Sequence, residues 1–569
     1  MELALFAVTI LAPLAASLLI SLSGPSAGER SAGFGIGAVA VSVLGSLAAL
    51  YQTGHQEPIQ ITLPMVPAIL APTFMVDRLA AVMMVLISGV SLVIHVYSQR
   101  YMHDDPGYVR FFSLLSLLTF VLLSLVTSGH LLWLWVWWHA VTWLLRTLLS
   151  FNHTNPAAQQ AGKTTLWVQG LGDLALLAAV AATYAAFGTF NLREVMGQLQ
   201  TASAPAVLWP GTWAETSAVG AITLLSVLAI MTKSAQFPVH IWLTGTIEAP
   251  TPVSAMLHAG IVNAGGFLVN RLAPLYGGAP STLHLLFVIG AVTALIGATT
   301  MLTQPSIKRT LVYSTMGQMG YMVMECGLGA FALAIFHLCA HGLFKATLFL
   351  NSGTGIHKAR TEFKLPDHEA TDHRIPFSLA TWGTGLAVTL VVPLLILLLV
   401  HGLVQIPLFE AQGTMIFLFF AWVTSSQAVF SLYRLHGVAS WKVSVAMVFT
   451  LSFIGLTYLW AGEAFTHFLY PEPGQAAAYF LAAAWPQALF EAVVGLSALL
   501  IVAVWGLLYA QAHGVRMLLP TWLETLQARA YVAFLNGLYV EDAWWARRHG
   551  PHRIRIPNPR RTPVSEAAP

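Results

Sequence analysis

Ile230-Met-Thr-Lys-Ser-Ala-Gln-Phe-Pro238 puts a lysine, and then a proline, inside an apolar run over 219–243. A charge at the centre of a membrane helix costs about 2.5–3.5 kcal/mol on insertion scales. Such a charge persists where it faces a bundle interior or a water-filled path. Pro238 lacks a backbone donor and breaks the helix a turn beyond Lys233. A broken helix at that depth exposes polar backbone groups, which suit a protein-lined cavity and not lipid. The competing reading is a lysine that snorkels from a helix end.

The rest of the chain agrees with a membrane setting. Of 569 residues, 57% are apolar and 9% charged, against about 25% charged in soluble domains. Mean hydropathy is +0.72. Apolar runs of spanning length lie near 3–22, 32–51, 77–97, 109–127, 130–150, 164–187, 219–243, 251–273, 282–303, 307–328, 330–352, 376–400, 415–435, 442–461 and 488–511. They predict an all-α polytopic membrane protein of about fifteen helices. The segment Leu3 to Leu22 reads as a retained first helix, being too long and too poor in basic flanking residues for a cleaved signal.

Numbering loops by the helix they follow, odd loops and the C-terminal tail hold 20 of the 26 basic residues. The positive-inside rule then places the N-terminus outside and the tail in the cytoplasm, in a bacterial cytoplasmic (inner) membrane. The tail combines an amphipathic stretch, Thr521–Tyr539, with an Arg- and Pro-rich end from Arg547. It fits an interfacial helix against anionic lipid, or a docking site for a cytoplasmic partner.

More charges fall within the runs. His337, His341 and Lys345 recur every fourth residue and share one helical face. Imidazole titrates near neutral pH, so this stripe suits proton relay; each histidine alone also fits a hydrogen-bonded core position. His258, Asp173 and the pair His139 and Arg146 lie in other helices, and Asp77 begins the third. Lys308, His401, Glu325 and Glu491 sit at helix ends, where an ordinary interfacial charge is the simpler reading. Cys326 and Cys339 are the only cysteines; they form no CxxC pair and no metal site is expected. There is no Gly-x-x-x-x-Gly-Lys-Ser/Thr phosphate-binding loop, and Gly33-Phe-Gly-Ile-Gly37 starts a membrane helix instead of following a strand. The pattern is that of a conduit, with no enzyme signature, no cofactor in this chain and no nucleic-acid partner expected.

Four motifs together resemble the antiporter-like subunits of respiratory complex I and of multisubunit sodium/proton antiporters. They are Lys233-Ser-Ala-Gln-Phe-Pro238, Ala249-Pro-Thr-Pro-Val-Ser-Ala-Met-Leu-His258-Ala, Ile307-Lys-Arg-Thr-Leu-Val-Tyr-Ser-Thr-Met-Gly-Gln-Met-Gly-Tyr321 and His341-Gly-Leu-Phe-Lys345-Ala-Thr-Leu-Phe-Leu350. The resemblance covers roughly residues 70–435. It implies two inverted five-helix repeats, with helices 7 and 12 broken at Pro238 and Pro393. It divides the chain into N-terminal helices (1–108), a first repeat (109–273), a second repeat (282–435), extra helices (442–511) and a cytoplasmic segment (512–569). It also implies a central cation path through Lys233, His258, Lys308, His341 and Lys345, with His337 and Asp173 joining it.

Two positions depart from the complex I pattern. The family's helix 5 glutamate, in Trp-Glu-Gly, is a histidine here in Trp138-His139-Ala140, and close to the place of its helix 12 lysine this chain has His401. His139 is therefore expected to take the acid's place beside Lys233, and Arg146 to add like-charge repulsion. The run Ala259-Gly-Ile-Val-Asn-Ala-Gly-Gly266 resembles the membrane subunit of the DAB-type (MpsAB-type) inorganic carbon transporters. That likeness implies a cytoplasmic partner resembling a β-carbonic anhydrase, which holds the zinc and hydrates carbon dioxide. The membrane subunit would supply the H+ or Na+ flux. The alternatives are a proton-pumping subunit of an NADH- or ferredoxin-driven dehydrogenase and a subunit of a sodium/proton antiporter.

Overall fold

The structure is a computed structural model that describes residues 2–201, 207–208, 216–361, 395, 460–512 and 521–549. Pro393 and His401 lie outside these residues, as do the expected helix over 415–435 and nearly all of those over 376–400 and 442–461. The second broken helix and the boundaries of the second repeat thus remain expectations.

The chain folds as a helical membrane bundle. Four long helices come first: α1 (Glu2–Ser23), α2 (Arg30–His55), α3 (Arg78–Tyr101) and α4 (Tyr108–Val126). A small hairpin, β1 (Ile59–Thr62) against β2 (Thr73–Val76), closes the α2–α3 connection. Then come α5 (Leu131–Leu149), α6 (Pro156–Phe187) and a short amphipathic α7 (Leu192–Gln200). The two-residue strands β3 (Val207–Leu208) and β4 (Thr216–Ser217) pair before α8 (Ala218–Lys233). The chain continues through α9 (Ile241–Thr244), α10 (Thr251–Ala259), α11 (Ala264–Arg271) and α12 (Ala273–Gly277) to the long α13 (Pro280–Thr303), α14 (Ile307–Gly327) and α15 (Phe331–Thr361). The last described helices are α16 (Gln475–Ala482), α17 (Gln487–Ala512), α18 (Thr521–Leu535) and α19 (Val540–His549).

Among the described residues, eight helical segments are long and apolar enough to span a membrane, or nine if α16 and α17, bent by 80°, count as one. Several expected spans fall short for physical reasons. The α5 run carries His139 and Arg146 among its tryptophans, which lowers its mean hydropathy. The α14 run opens on Lys308 and Arg309. The helix expected over 219–243 ends early, at Lys233. Helix α6 instead begins two turns sooner than its apolar run. The Asn155 side chain accepts from Ala157 N at 2.9 Å and Pro156 occupies the first turn, a strong start signal. Lys163 therefore lies on a helix and not in a loop.

Helix pairing follows small residues. Helices α13 and α14 approach so closely that a Cβ at Gly290 or Gly320 would run into the backbone of the facing helix. Close approach through glycine is how membrane helices gain dispersion contacts that lipid would otherwise supply. At one end of the bundle, Asp77 caps α3 by accepting from Ala80 N at 2.8 Å. It also receives two hydrogen bonds from Arg271 at the end of α11, at 2.6 and 3.2 Å.

Candidate functional site

Lys233 is the last residue of α8, and the backbone breaks just beyond it. Ser234 N still bonds Ile230 O at 2.9 Å, but Ala235 adopts a left-handed φ of 48° and Gln236 N reaches Met231 O at 2.8 Å. Pro238 follows and regular helix resumes only at Ile241. A non-glycine residue held left-handed costs of order 1–3 kcal/mol and marks a segment fixed by its surroundings. The helix expected over 251–273 is irregular too: α10 ends at Ala259, and a 3-10 turn over Ile261–Asn263 separates it from α11. The Ser234 hydroxyl joins the two breaks, donating to Val262 O at 2.7 Å and accepting from Gly265 N at 3.1 Å.

The lysine head is wholly enclosed. Its Nζ donates to Thr142 Oγ1 at 2.6 Å, Trp138 O at 3.2 Å and Gln169 Oε1 at 3.2 Å. It sits 4.9 Å from the Trp138 ring centroid and 3.2 Å from Asp173 Oδ1. Asp173 Oδ2 accepts from Thr142 Oγ1 at 2.8 Å and from His139 Nδ1 at 2.9 Å. Trp143 Nε1 donates to His139 Nε2 at 2.9 Å. The Trp143 bond assigns the imidazole proton to Nδ1, which faces the carboxylate. His139 also stacks on Trp135, with ring centroids 5.6 Å apart.

This geometry corrects two expectations. The acid beside Lys233 is Asp173 on α6, and His139 stands one hydrogen bond behind it. A lysine–carboxylate pair therefore does form, with the acid supplied by the neighbouring helix. Arg146, one turn further along α5 than Thr142, sets its guanidinium 5.9 Å from the Trp143 ring centroid, and its Nε is buried without a hydrogen-bond partner.

A second group gathers where α10 packs on α15. His258 is fully buried and stacks on Phe349 with centroids 4.2 Å apart. Its Nε2 lies 3.3 Å from Thr246 Oγ1, in the 3-10 turn Gly245–Glu248 that follows the α8–α9 break. His341, Lys345 and Phe349 occupy one face of α15. Lys345 Nζ donates to Ser314 Oγ at 2.8 Å. Both ring nitrogens of His341, and His258 Nδ1, are buried without a hydrogen-bond partner. Unpaired buried polar atoms in one place suit a path along which protons or hydrated cations pass. Lys308, half-buried at the start of α14, reaches Ile247 O of the same 3-10 turn at 3.4 Å.

The stripe continues through His337. Its Nδ1 lies 3.0 Å from Glu325 Oε2, its Nε2 2.9 Å from Gln318 Oε1, and its ring 6.1 Å from that of His341. Glu325, expected at an interface, is only 2% exposed: α14 runs on to Gly327 and its end is covered. The signal was in the spacing. Gln318 and Glu325 are seven residues apart on one helical face, and both bond His337. His240 was also missed; it is buried in the break, stacked on Phe237. Glu491 behaves as expected, exposed and accepting from Gln487 Nε2 at 2.9 Å.

Comparison with known proteins places this arrangement. A family model described as NADH:quinone oxidoreductase/Mrp antiporter, TM, matches residues 128–426, and one described as NADH-ubiquinone oxidoreductase (complex I), chain 5 N-terminus, matches residues 70–112. The chain is 40% identical over 511 residues to a Halothiobacillus neapolitanus protein named "Probable inorganic carbon transporter subunit DabB1", spanning 87% of this chain and 88% of that one. It is 37% identical over 366 residues to NADH-quinone oxidoreductase subunit L of Neisseria meningitidis, spanning 62% of this chain and 54% of that one. In fold it matches a chain of the Mrp complex from Dietzia sp. DQ12-45-1b with a TM-score of 0.55 at 24% identity, covering 98% of this chain and 57% of that one.

Proposed function

We infer the function from one premise: this chain belongs to the DabB-like inorganic carbon transporter subunits, within the family of complex I and Mrp antiporter-like membrane proteins. We propose that it conducts a cation, the proton before sodium, and that this flux energises inorganic carbon uptake by a cytoplasmic partner. The partner would resemble a β-carbonic anhydrase, hold the zinc and carry out carbon dioxide hydration, so this chain would perform no catalysis itself. It would lie in a bacterial cytoplasmic membrane with its N-terminus outside and its C-terminus facing the partner.

The observation that carries the conduction reading is the Lys233–Asp173 pair, sealed in apolar helices at a helix break, with His139 behind the acid. An isolated buried charge is expensive, whereas a paired one gains or loses a proton according to whether its partner is close. Lys233 is the switch in this reading. His258, His341, His337 and Lys345 relay, and Lys308 gives access from the cytoplasmic half. His401 and the break at Pro393 would extend the path through the second repeat. The lysine–carboxylate pairing also suits the second reading, a proton-pumping subunit of a dehydrogenase or sodium/proton antiporter, because complex I subunits pair their lysine with a helix 5 glutamate.

The test is bicarbonate uptake in cells that express the chain with its zinc-binding partner and lack other carbon uptake. Ionophore-sensitive uptake is expected in the wild type and is expected to vanish in Lys233→Ala. Uptake that persists undiminished in that variant rules out the switch. Sodium-dependent proton exchange without any partner would favour the second reading.

A further inference from the structure

Glu325 and His337 stand apart from the lysine-centred groups by their position in the α14–α15 hairpin. Lys308 begins α14, and Glu325 lies seventeen residues later, about 25 Å along the axis at 1.5 Å per residue. His337 sits in the second turn of α15, just past the connection at Leu328–Ala330. The pair is therefore at the opposite end of the hairpin from Lys308. In the orientation proposed above, that is the outer end.

The two side chains are buried together, with Glu325 Oε2 3.0 Å from His337 Nδ1. Buried singly, a carboxylate or an imidazolium would carry a large desolvation cost. Buried as a pair, they hold one shared proton at zero net charge, whichever atom bears it. Other titratable side chains nearby, among the described residues, are Tyr321, whose ring is 5.2 Å from that of His337, buried Cys326 and His341.

A lid of apolar residues separates the pair from the outer end. Met324, Leu328 and Ala330 cluster with Phe490 of α17, and Trp485 packs against them at the 80° bend between α16 and α17. From the α13 side, the His284 ring lies tilted against Trp485 with centroids 4.5 Å apart. Phe490 and Trp485 thus cover the α14–α15 connection, beside Glu325 in the chain.

We propose that Glu325 is the proton-loading group at the outer end of the path and passes its proton to His337. The step balances: the O–H bond on Glu325 breaks as N–H forms at His337 Nδ1. The carboxyl becomes carboxylate and the imidazole becomes imidazolium, which then gives up the Nε2 proton, held against Gln318 Oε1 at 2.9 Å, on the side where the His341 ring lies 6.1 Å away. Loading recurs once the imidazole has turned so that an unprotonated nitrogen again faces Glu325 and the next proton reaches the carboxyl. This inference rests on the conduction reading.

The experiment uses the full chain co-expressed with its partner, in right-side-out and inverted membrane vesicles, with a pH-sensitive dye reading proton flux. The amount of folded chain is measured by size-exclusion fluorescence for each variant. Glu325→Gln is expected to lower flux at least tenfold per folded molecule. Glu325→Asp is expected to keep flux and to shift its dependence on outer pH, leaving its dependence on inner pH unchanged. Wild-type flux in Glu325→Gln, or a change in Glu325→Asp that follows inner pH, overturns the proposal. If Glu325→Gln does not fold, the sidedness seen in Glu325→Asp decides. Absence of chain-dependent flux in the wild type instead defeats the conduction reading, so the two failures are told apart.

Discussion

The ammonium of Lys233 and the carboxylate of Asp173 lie 3.2 Å apart, from α8 and α6, with both side chains shut away from the surface. Removing one member strands the other. Asp173→Asn should therefore destabilise the protein by about 3–5 kcal/mol and abolish transport. The double variant Lys233→Met/Asp173→Leu should recover most of that stability and none of the transport. Thermal unfolding in detergent beside an uptake assay checks both; a double variant as unstable as Asp173→Asn would contradict the pairing argument.

Asp77 does two separate jobs, capping α3 and binding Arg271. Asp77→Asn keeps a capping oxygen and loses the ion pair, whereas Asp77→Ala loses both. The alanine variant should be less stable than the asparagine variant by about 1 kcal/mol, the usual worth of a cap. Both should retain flux per folded molecule, because neither residue is on the path. Melting curves separate the two variants, and equal melting temperatures would remove the cap from the account.

Gly290 and Gly320 let α13 and α14 touch backbone to backbone. Gly320→Leu should prevent that packing at a cost beyond the about 1–3 kcal/mol of ordinary overpacking, since backbone cannot move aside as a side chain does. The expected result is little folded protein in the membrane fraction. Normal yield and a normal melting temperature would show that the helices can separate freely.

His103, in the exposed turn between α3 and α4, bonds Asp104 Oδ1 at 3.0 Å and Glu29 Oε1 at 3.1 Å. Asp104 first and Glu29 second raise its pKa above the ordinary 6.5. A raised folded-state value means that the contribution is present below pH 6.5 and is lost as pH rises through the higher value. An NMR titration should show His103 titrating above 6.5 and returning towards it in Asp104→Asn. Full exposure keeps the effect on stability slight.

Much of this was legible in the residues. The lysine–proline stretch gave away the broken helix because a proline deep in an apolar run has few other uses. The His337–His341–Lys345 stripe followed from four-residue spacing alone. Partnerships between helices were harder to read. Nothing local says that Asp173 on α6 will reach Lys233 while His139 stands behind it; that depends on how α5, α6 and α8 pack. Glu325 sits near the end of its apolar run, and in sequence such a place reads as close to water. The α16–α17 bend, more than a hundred residues away in the chain, covers that end. The irregular turn after α10 was likewise hidden, since Gly260 and Asn263 are tolerated in continuous membrane helices as well as in broken ones.

The Ser234 hydroxyl ties the unwound stretch after Lys233 to the unwound stretch after His258. Two gaps fastened at one atom behave as a single joint. If the lysine shifts when its charge changes, the displacement is felt in α10 and α11 in the same motion. The two hydrogen bonds of one hydroxyl therefore couple the position of Lys233 to that of the segment after His258, whether or not a proton is in transit.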